Sequence, residues 1–460
     1  MCTSCLKSHS FRKSNRIKKS RNLSQNFNQM ISAIGEIPRY AREGFVTSTS
    51  AGVVRVRGLS SAARVGDLVT LHKNSGLTVY GEVLSVQKGA LDLLPESGVD
   101  GVAVNDRVSH HGALRIMPHV SWLGRVIDPF MRPLDGMPLI TGSAEVPLKS
   151  PPPTPTQRKR FGGRLPTKIA AFDTLLPLVR GQRLGVFSGS GVGKSTLIAD
   201  LAKGVQADVV IITLIGERGR EVRDFIEDTL GKEGLQRAVI IAATSDKSAM
   251  IRRKAAWVGM AVAEYFRDEG AHVLLLADSV TRFAEAHREI ALTTGETASL
   301  GGFPPSITQE LMSLSERAGP GPIGKGDITA IFSVLLQGTD MDGPVADVMR
   351  GVLDGHVVLS RNIAERGRFP AIDVSKSVSR SLPGAASTDE LELLSQARIA
   401  ITTYEESQTL IQSGLYDLGS DATIDHAISV RPKIEAFLSN RTSPSIQSSY
   451  SQLEDCLNGH

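Results

Sequence analysis

The chain reads as a multidomain α/β protein: an N-terminal β-barrel, a P-loop core built on a parallel sheet, and a C-terminal helical domain. Three observations predict this. Short alternating strands fill the first quarter, and near-continuous apolar runs then alternate with helical stretches around a glycine-rich loop. Beyond Ser381 the β-branched runs vanish. The expected boundaries are a basic tail over 1–35, the barrel over 36–115, the α/β core over 116–380 and the helical end over 381–460.

A length of 460 residues is long for one domain. With 41% hydrophobic and 22% charged residues, the bulk is an ordinary globular chain rather than a disordered one. No run approaches the roughly 18 consecutive apolar residues of a membrane-spanning helix. Seven cations (Lys7, Arg12, Lys13, Arg16, Lys18, Lys19 and Arg21) precede the first acidic residue, Glu36. Removing those seven from the net charge of +4 leaves the rest at −3, so basicity belongs to the tail.

The tail has three readings: a solvated arm, a docking segment for an acidic partner or an anionic membrane surface, or an organelle transit peptide. Phe27, Met30, Ile31 and Ile34 have the spacing of a short amphipathic helix behind it. The tail lacks the apolar centre of a secretory signal, which predicts a cytoplasmic body. Cys2, Cys5 and Cys456 are too few for a disulfide framework. Cys2-x-x-Cys5 with His9 nearby hints at a metal site but lacks a fourth ligand.

Val53–Val56, Leu68–Leu71, Val83–Val86 and Leu91–Leu94 are separated by Gly, Asp and Ser turns. That spacing suggests a small barrel or sandwich with its own turn chemistry. The proline-rich Pro151–Pro155 stretch and the basic cluster Arg158-Lys-Arg160 mark a surface connection into the core. There Val209–Ile215, Ala238–Ile241, Val273–Leu276 and Ile328–Phe332 read as strands buried on both faces. The 252–267 segment reads as a crossover helix, and ligands then belong at the carboxyl ends of the strands. At the end of the chain, 389–408 and 425–438 have helical spacing.

The run Ser188-Gly-Ser-Gly-Val-Gly-Lys-Ser-Thr196 follows the apolar Gly185-Val-Phe187 and leads into Leu197–Ala202. Strand, glycine loop and helix form the context of a P-loop for a nucleotide triphosphate. Gly189, Gly191 and Gly193 let backbone N–H groups turn onto phosphates at a helix N-terminus, with Ser190, Val192 and Thr196 completing the loop. Lys194 is placed to reach the β- and γ-phosphates, and the Ser195 hydroxyl to ligate Mg²⁺. The first glycine of the motif is replaced here by Ser188.

Val273-Leu-Leu-Leu-Ala-Asp278 is an apolar strand ending in a carboxylate suited to the Mg²⁺ shell. Gly216-Glu-Arg-Gly219 closes the strand ending at Ile215, which projects Glu217 toward the γ-phosphate, where a carboxylate can orient the attacking water. Arg218 would then balance charge on phosphate oxygens.

Six runs occur in order: Gly124–Gly136, the P-loop, Gly216-Glu-Arg218, Asp278-Ser-Val-Thr-Arg-Phe283, Glu316-Arg-Ala-Gly319 and Pro370–Ser379. Together they resemble the rotary ATPase α/β superfamily, and within it the flagellum-specific ATPases of type III protein export, from about Val46 to Leu438. Pro370-Ala-Ile-Asp-Val-Ser-Lys-Ser-Val-Ser379 matches every defined position of the family signature. The resemblance implies a RecA-like core, ATP and Mg²⁺ as cofactors, and roles by position. Glu217 matches the catalytic glutamate of the synthase β-subunit, and Arg282 an arginine near the γ-phosphate. Phe369 matches the aromatic residue packed on adenine. Arg380 matches the arginine finger that reaches a neighbouring subunit's site.

With Glu217 and Arg380 on one chain, each subunit can be catalytic on one side and donate a finger on the other, which suits a closed ring. Family precedent makes this a homohexamer. Resemblance further implies a stator-type regulator on the N-terminal segment, a central stalk protein, and export gate, chaperones and flagellar substrates, with peripheral contact at the inner membrane. Two departures stand out. The Gly295–Pro304 loop has Leu300 where a basic residue is frequent, and the helical end shows no acidic lever motif of the synthase β-subunit.

Three rival readings remain at this stage. An injectisome secretion ATPase shares every motif above. A hexameric RNA translocase resembling the terminator Rho shares Gly-Glu-Arg and Asp-Ser-x-Thr-Arg. Against the latter, Asp354–Arg361 and Gly124–Gly136 follow the export pattern, and the barrel region has no clustered aromatic platform for bases, so no nucleic-acid partner is expected. The third is a nucleotide-binding structural subunit without turnover, against which Glu217 argues.

Overall fold

The computed structural model describes residues 42–336 and 343–458. The basic tail, the Cys2/Cys5/His9 group and the Phe27–Ile34 periodicity lie outside the described residues.

Six antiparallel strands close a barrel in the order β1-β2-β5-β4-β3-β6. They are β1 (Arg42–Ser50), β2 (Val53–Arg57), β3 (Leu68–His72), β4 (Thr78–Gln87), β5 (Ala90–Pro95) and β6 (Arg107–Gly112). Alternation points Val46, Val54, Val56, Val69, Leu71, Val83, Leu91, Leu93 and Val108 inward, all fully buried, so the barrel has a core of its own. The closed ladder decides barrel over sandwich. It also adds two strands to the four that alternation signalled. β6 reads Arg-Val-Ser-His-His-Gly and β1 is mostly exposed, so neither carries an apolar rhythm.

The core is one sheet in the order β15-β14-β8-β13-β11-β9-β10-β7, with β12 attached to β13. Its strands are β7 (Arg125–Ile127), β8 (Arg183–Ser188), β9 (Val209–Glu217), β10 (Ala238–Thr244), β11 (His272–Asp278), β12 (Gly319–Pro320), β13 (Asp327–Leu335), β14 (Gly355–Leu359) and β15 (Ile372–Ser379). The sheet is mixed rather than purely parallel, because β15 and β12 run antiparallel to their neighbours. From β14 to β7 every pairing is parallel.

The continuous apolar strands have a direct physical reason. Val210, Ile212, Leu274, Leu276 and Ile331 face one apolar cluster, while Ile211, Val273, Leu275 and Phe332 face another. Helix α1 (Lys194–Gly204) contributes Leu197, Ile198 and Leu201 to the first cluster. The long α2 (Ala249–Asp268), the expected crossover helix, contributes Trp257, Val258 and Val262 to the second, beside α3 (Val280–Thr293). Both faces are covered, so these strands are predominantly apolar, with buried Thr213, Thr329 and Ser333 as exceptions.

Three helices end the chain: α4 (Thr388–Gln412), α5 (Ala422–Leu438) and α6 (Ile446–Asn458). A capping box opens α4, with Ser387 Oγ accepting from the Glu390 N–H and the Glu390 carboxylate accepting from the Ser387 N–H. α6 was not expected, because its Ser- and Gln-rich sequence buries only Tyr450, Leu453 and Leu457 among its large apolar side chains. Leu394, Ile401, Val430, Phe437 and Leu453 join the cluster that holds α1. Among the described residues no helix is long and apolar enough to cross a membrane.

Barrel and core meet at a buried ion cluster, where Glu82 of β4 accepts from Arg253 and Lys254 of α2, each at 2.8 Å. The connection over 151–160 is largely exposed, yet two of its cations are anchored. Arg158 donates to the carbonyls of Glu316 and Ala318, and Lys159 pairs with Asp327 at 2.7 Å.

Candidate active site

The carboxyl ends of β8, β9 and β11 bring the sequence-predicted residues together. Ser188 ends β8 inside the regular ladder, level with Leu335 of β13 and Leu359 of β14. Its side chain is fully buried, and the position does not require the left-handed backbone that favours glycine. That accounts for a serine at the motif's first position. Gly191 and Gly193 do adopt positive φ, at 78° and 83°. A Cβ on Gly193 would stand 3.2 Å from the Phe369 ring. Phe369, 42% exposed, therefore lies against the loop.

Lys194 opens α1 and turns its ammonium onto the carboxylate of Asp278, the last residue of β11. The same ammonium lies 3.6 Å from Glu217 Oε1, at the end of β9. These three side chains are mostly buried, at 11%, 4% and 22% exposed respectively. A cation between two carboxylates is thus shielded from water, where charge acts strongly. Ser195 and Thr196 are exposed in the first turn of α1, with Gly189 and Ser190 just before on the loop and Val192 buried.

The carboxyl of Glu217 is held above the ordinary glutamate range. Burial is the main cause; Lys194 opposes it, Asp278 and Glu221 reinforce it, and Arg282 opposes it. Arg282, in the first turn of α3, packs across Gly216, where a Cβ would approach the arginine Cβ to 3.1 Å. Its guanidinium donates to Glu285 at 2.7 Å. Glycine at 216, with φ at 71°, is what lets that arginine lie beside Glu217.

Two predicted residues stand apart from this cluster. Arg218 is 78% exposed and pairs with Glu221 at 3.2 Å. Arg380 follows β15, exposed, with its backbone N–H donating to the Asp354 carbonyl at 3.0 Å. Asp354 also clamps Arg183, the first residue of β8. Arg380 is therefore fixed at the opposite end of the P-loop strand from the loop itself. Sequence reasoning missed Ser333, whose fully buried hydroxyl donates to Asp278 Oδ1 at 2.5 Å. Its signal was a lone hydroxyl in the otherwise apolar run Ile331-Phe-Ser-Val-Leu335.

Comparison with known proteins places the fold in a family. Residues 168–379 match the nucleotide-binding domain of the ATP synthase alpha/beta family, and residues 386–455 match the type III secretion system EscN ATPase C-terminal domain. The flagellum-specific ATP synthase of Caulobacter vibrioides is 44% identical, over 89% of this chain and 94% of its own. The type 3 secretion system ATPase of Xanthomonas euvesicatoria is 42% identical, over 87% and 90%. The solved structure of the assembled ATPase EscN from the enteropathogenic E. coli type III secretion system superposes with a TM-score of 0.84 at 37% identity, covering 90% of this chain and 100% of that one. Fold and site together define a P-loop ATPase. The chain belongs to the ATP synthase α/β family, in the branch of flagellum-specific ATP synthases and type III secretion ATPases.

Proposed function

We propose that the chain hydrolyses ATP at the Lys194–Glu217–Asp278 cluster and that this turnover energises flagellar type III protein export, through substrate unfolding or chaperone release at the export gate. The convergence of that one cation and two carboxylates at the strand ends carries the reading. The P-loop N–H groups and Lys194 hold the phosphates, Phe369 stacks on adenine, and ionised Glu217 takes a proton from the attacking water. Arg282 and Arg218 balance charge on the phosphates, Arg282 from beside Glu217 and Arg218 by swinging from Glu221.

The residues fit Mg²⁺. Among the described residues no three acidic, His or Cys side chains converge into a metal cage. Mg²⁺ is ordinarily held by one or two protein oxygens with substrate phosphates and water, and Ser195 and Asp278 offer those oxygens. When bound, the ion supplies charge neutralisation on the phosphates.

Arg380 completes the site of an adjacent copy, which makes the working form a ring, six subunits by family precedent. A relative's structure is that of an assembled ATPase, and another holds that ATPase with its central stalk EscO; a stalk contact is proposed here on that likeness. A stator-type regulator on the N-terminal segment and peripheral membrane association belong to the same proposal. The secretion ATPase at 42% identity supports an injectisome role as the second reading.

Complementation decides between them. Restored swimming in a flagellar ATPase deletion strain, and no restoration by Glu217→Gln, supports the first reading. Restored effector secretion without motility supports the second. ATPase activity absent until RNA is added would overturn both.

A further inference from the structure

Strand β13 lies between the P-loop strand β8 and the Asp278 strand β11. Its register with β11 pairs Leu276 with Ile331 and Ala277 with Phe332, which sets Asp278 level with Ser333. Alternation gives both residues the face that Leu274, Leu276 and Ile331 share, the face covered by α1. An aliphatic side chain at 333 would simply extend that apolar stripe. Instead the chain places a fully buried hydroxyl there.

The Ser333 hydroxyl donates to Asp278 Oδ1 at 2.5 Å, a length typical of an O–H donor on an ionised carboxylate. The Lys194 ammonium lands on the same oxygen. Oδ2 receives neither donor. The torsion that rotates an aspartate carboxylate is broad and roughly two-fold, so it selects no orientation unaided. A backbone-fixed hydroxyl on a central strand selects one. Lys194 is a flexible side chain that must also serve phosphate, so it cannot hold the carboxylate throughout a cycle. A second tie lies just beyond, where Thr281 Oγ1, in the first turn of α3 after β11, accepts from the Leu335 N–H of β13 at 2.8 Å.

We propose that Ser333 is a positioning residue for the nucleotide site: by holding Asp278 Oδ1 it keeps Oδ2 turned to the metal shell. The inference rests on the reading of Asp278 as the metal-shell carboxylate. Ser333→Ala removes one oxygen and leaves the strand packing in place. Full-length protein with ADP is titrated with Mn²⁺, free ion being read by electron paramagnetic resonance, and ADP affinity is measured separately in EDTA. Outer-shell partners of metal ligands are typically worth about 10- to 100-fold in metal affinity or activity. Ser333→Ala is expected to weaken Mn²⁺ binding and lower kcat by about 10-fold, with ADP affinity in EDTA changed less than about twofold. Mn²⁺ affinity within about twofold of wild type would overturn the proposal. So would an equal fall in metal-free ADP affinity, which marks general damage. Asp278→Asn is run beside it. If Asp278→Asn leaves Mn²⁺ binding intact, the assignment of Asp278 itself fails; if it abolishes binding while Ser333→Ala does nothing, only the role of Ser333 fails.

Discussion

Arg380 and Lys194 stand at opposite ends of strand β8: Arg380 is tied through Asp354 to Arg183, which begins the strand, and Lys194 follows the loop that ends it. Five residue steps at about 3.3 Å each separate those ends by roughly 17 Å. One subunit cannot close both residues on one phosphate, so a finger role for Arg380 requires a second copy.

Mixing therefore separates the two functions. Lys194→Ala and Arg380→Ala proteins should each be inactive, and rings formed from both should regain part of the activity, because some interfaces pair an intact loop with an intact finger. A finger of this kind is worth about 10³- to 10⁵-fold in rate. ATPase assays on purified mixed rings check this, and no recovery in rings proven to mix would refute the trans assignment.

Replacing Glu217 with glutamine keeps the shape beside Lys194 and removes the proposed base. The expected loss in kcat is about 10²- to 10⁴-fold, with ATP affinity nearly unchanged. Equilibrium binding of a fluorescent ATP analogue alongside steady-state turnover distinguishes this from lost binding.

The pH dependence follows from the raised pKa of that carboxyl, caused first by burial. As the proposed base, Glu217 works only when ionised, so kcat/KM should fall as pH drops through a value above the ordinary glutamate pKa of about 4.3. A kcat/KM profile with its acid limb at or below that ordinary value would contradict the assignment.

At the barrel junction, Glu82→Gln leaves Lys254, 3% exposed, buried without its counter-ion. Breaking a buried pair in this way costs about 3–5 kcal/mol. Burial alone would raise the Glu82 pKa, but Lys254 and Arg253 outweigh it and hold it low. Its folded pKa is depressed, so its contribution is present above the unfolded value of about 4.3 and is lost as pH falls through the folded one. Denaturant titrations at neutral and acid pH should show a large gap between wild type and variant that narrows toward low pH.

The sheet, its glycine loop and the charges at its strand ends were legible because each rests on local pattern. Buried strands are mostly apolar, Glu217 and Asp278 punctuate their ends, and Lys194 follows the glycine loop. What stayed hidden depends on contacts between distant segments. β1 and β6 hold their places in the barrel through ladder pairing with little apolar signal. The antiparallel edge strand β15 is likewise a matter of topology. Ser333 acquires meaning only when β13 is slotted beside β11, an adjacency that sequence order does not announce. Arg380 was singled out by family resemblance alone, and its distance from its own loop emerged only from the fold.

The sharing of one apolar cluster between α1 and the three C-terminal helices has a mechanical meaning. Close-packed interiors are stiff and pass strain onward. Leu197, Ile198 and Leu201 behind the phosphate loop press through the same interior as Leu394, Val430 and Phe437. The barrel has an apolar cluster of its own and meets the core through the Glu82 ion cluster and through Leu68, Tyr80, Leu84 and Leu94, which pack on core side chains. The wall behind the phosphate loop and the inner faces of the last three helices are thus one continuous interior, and a substitution that loosens one is expected to loosen the other.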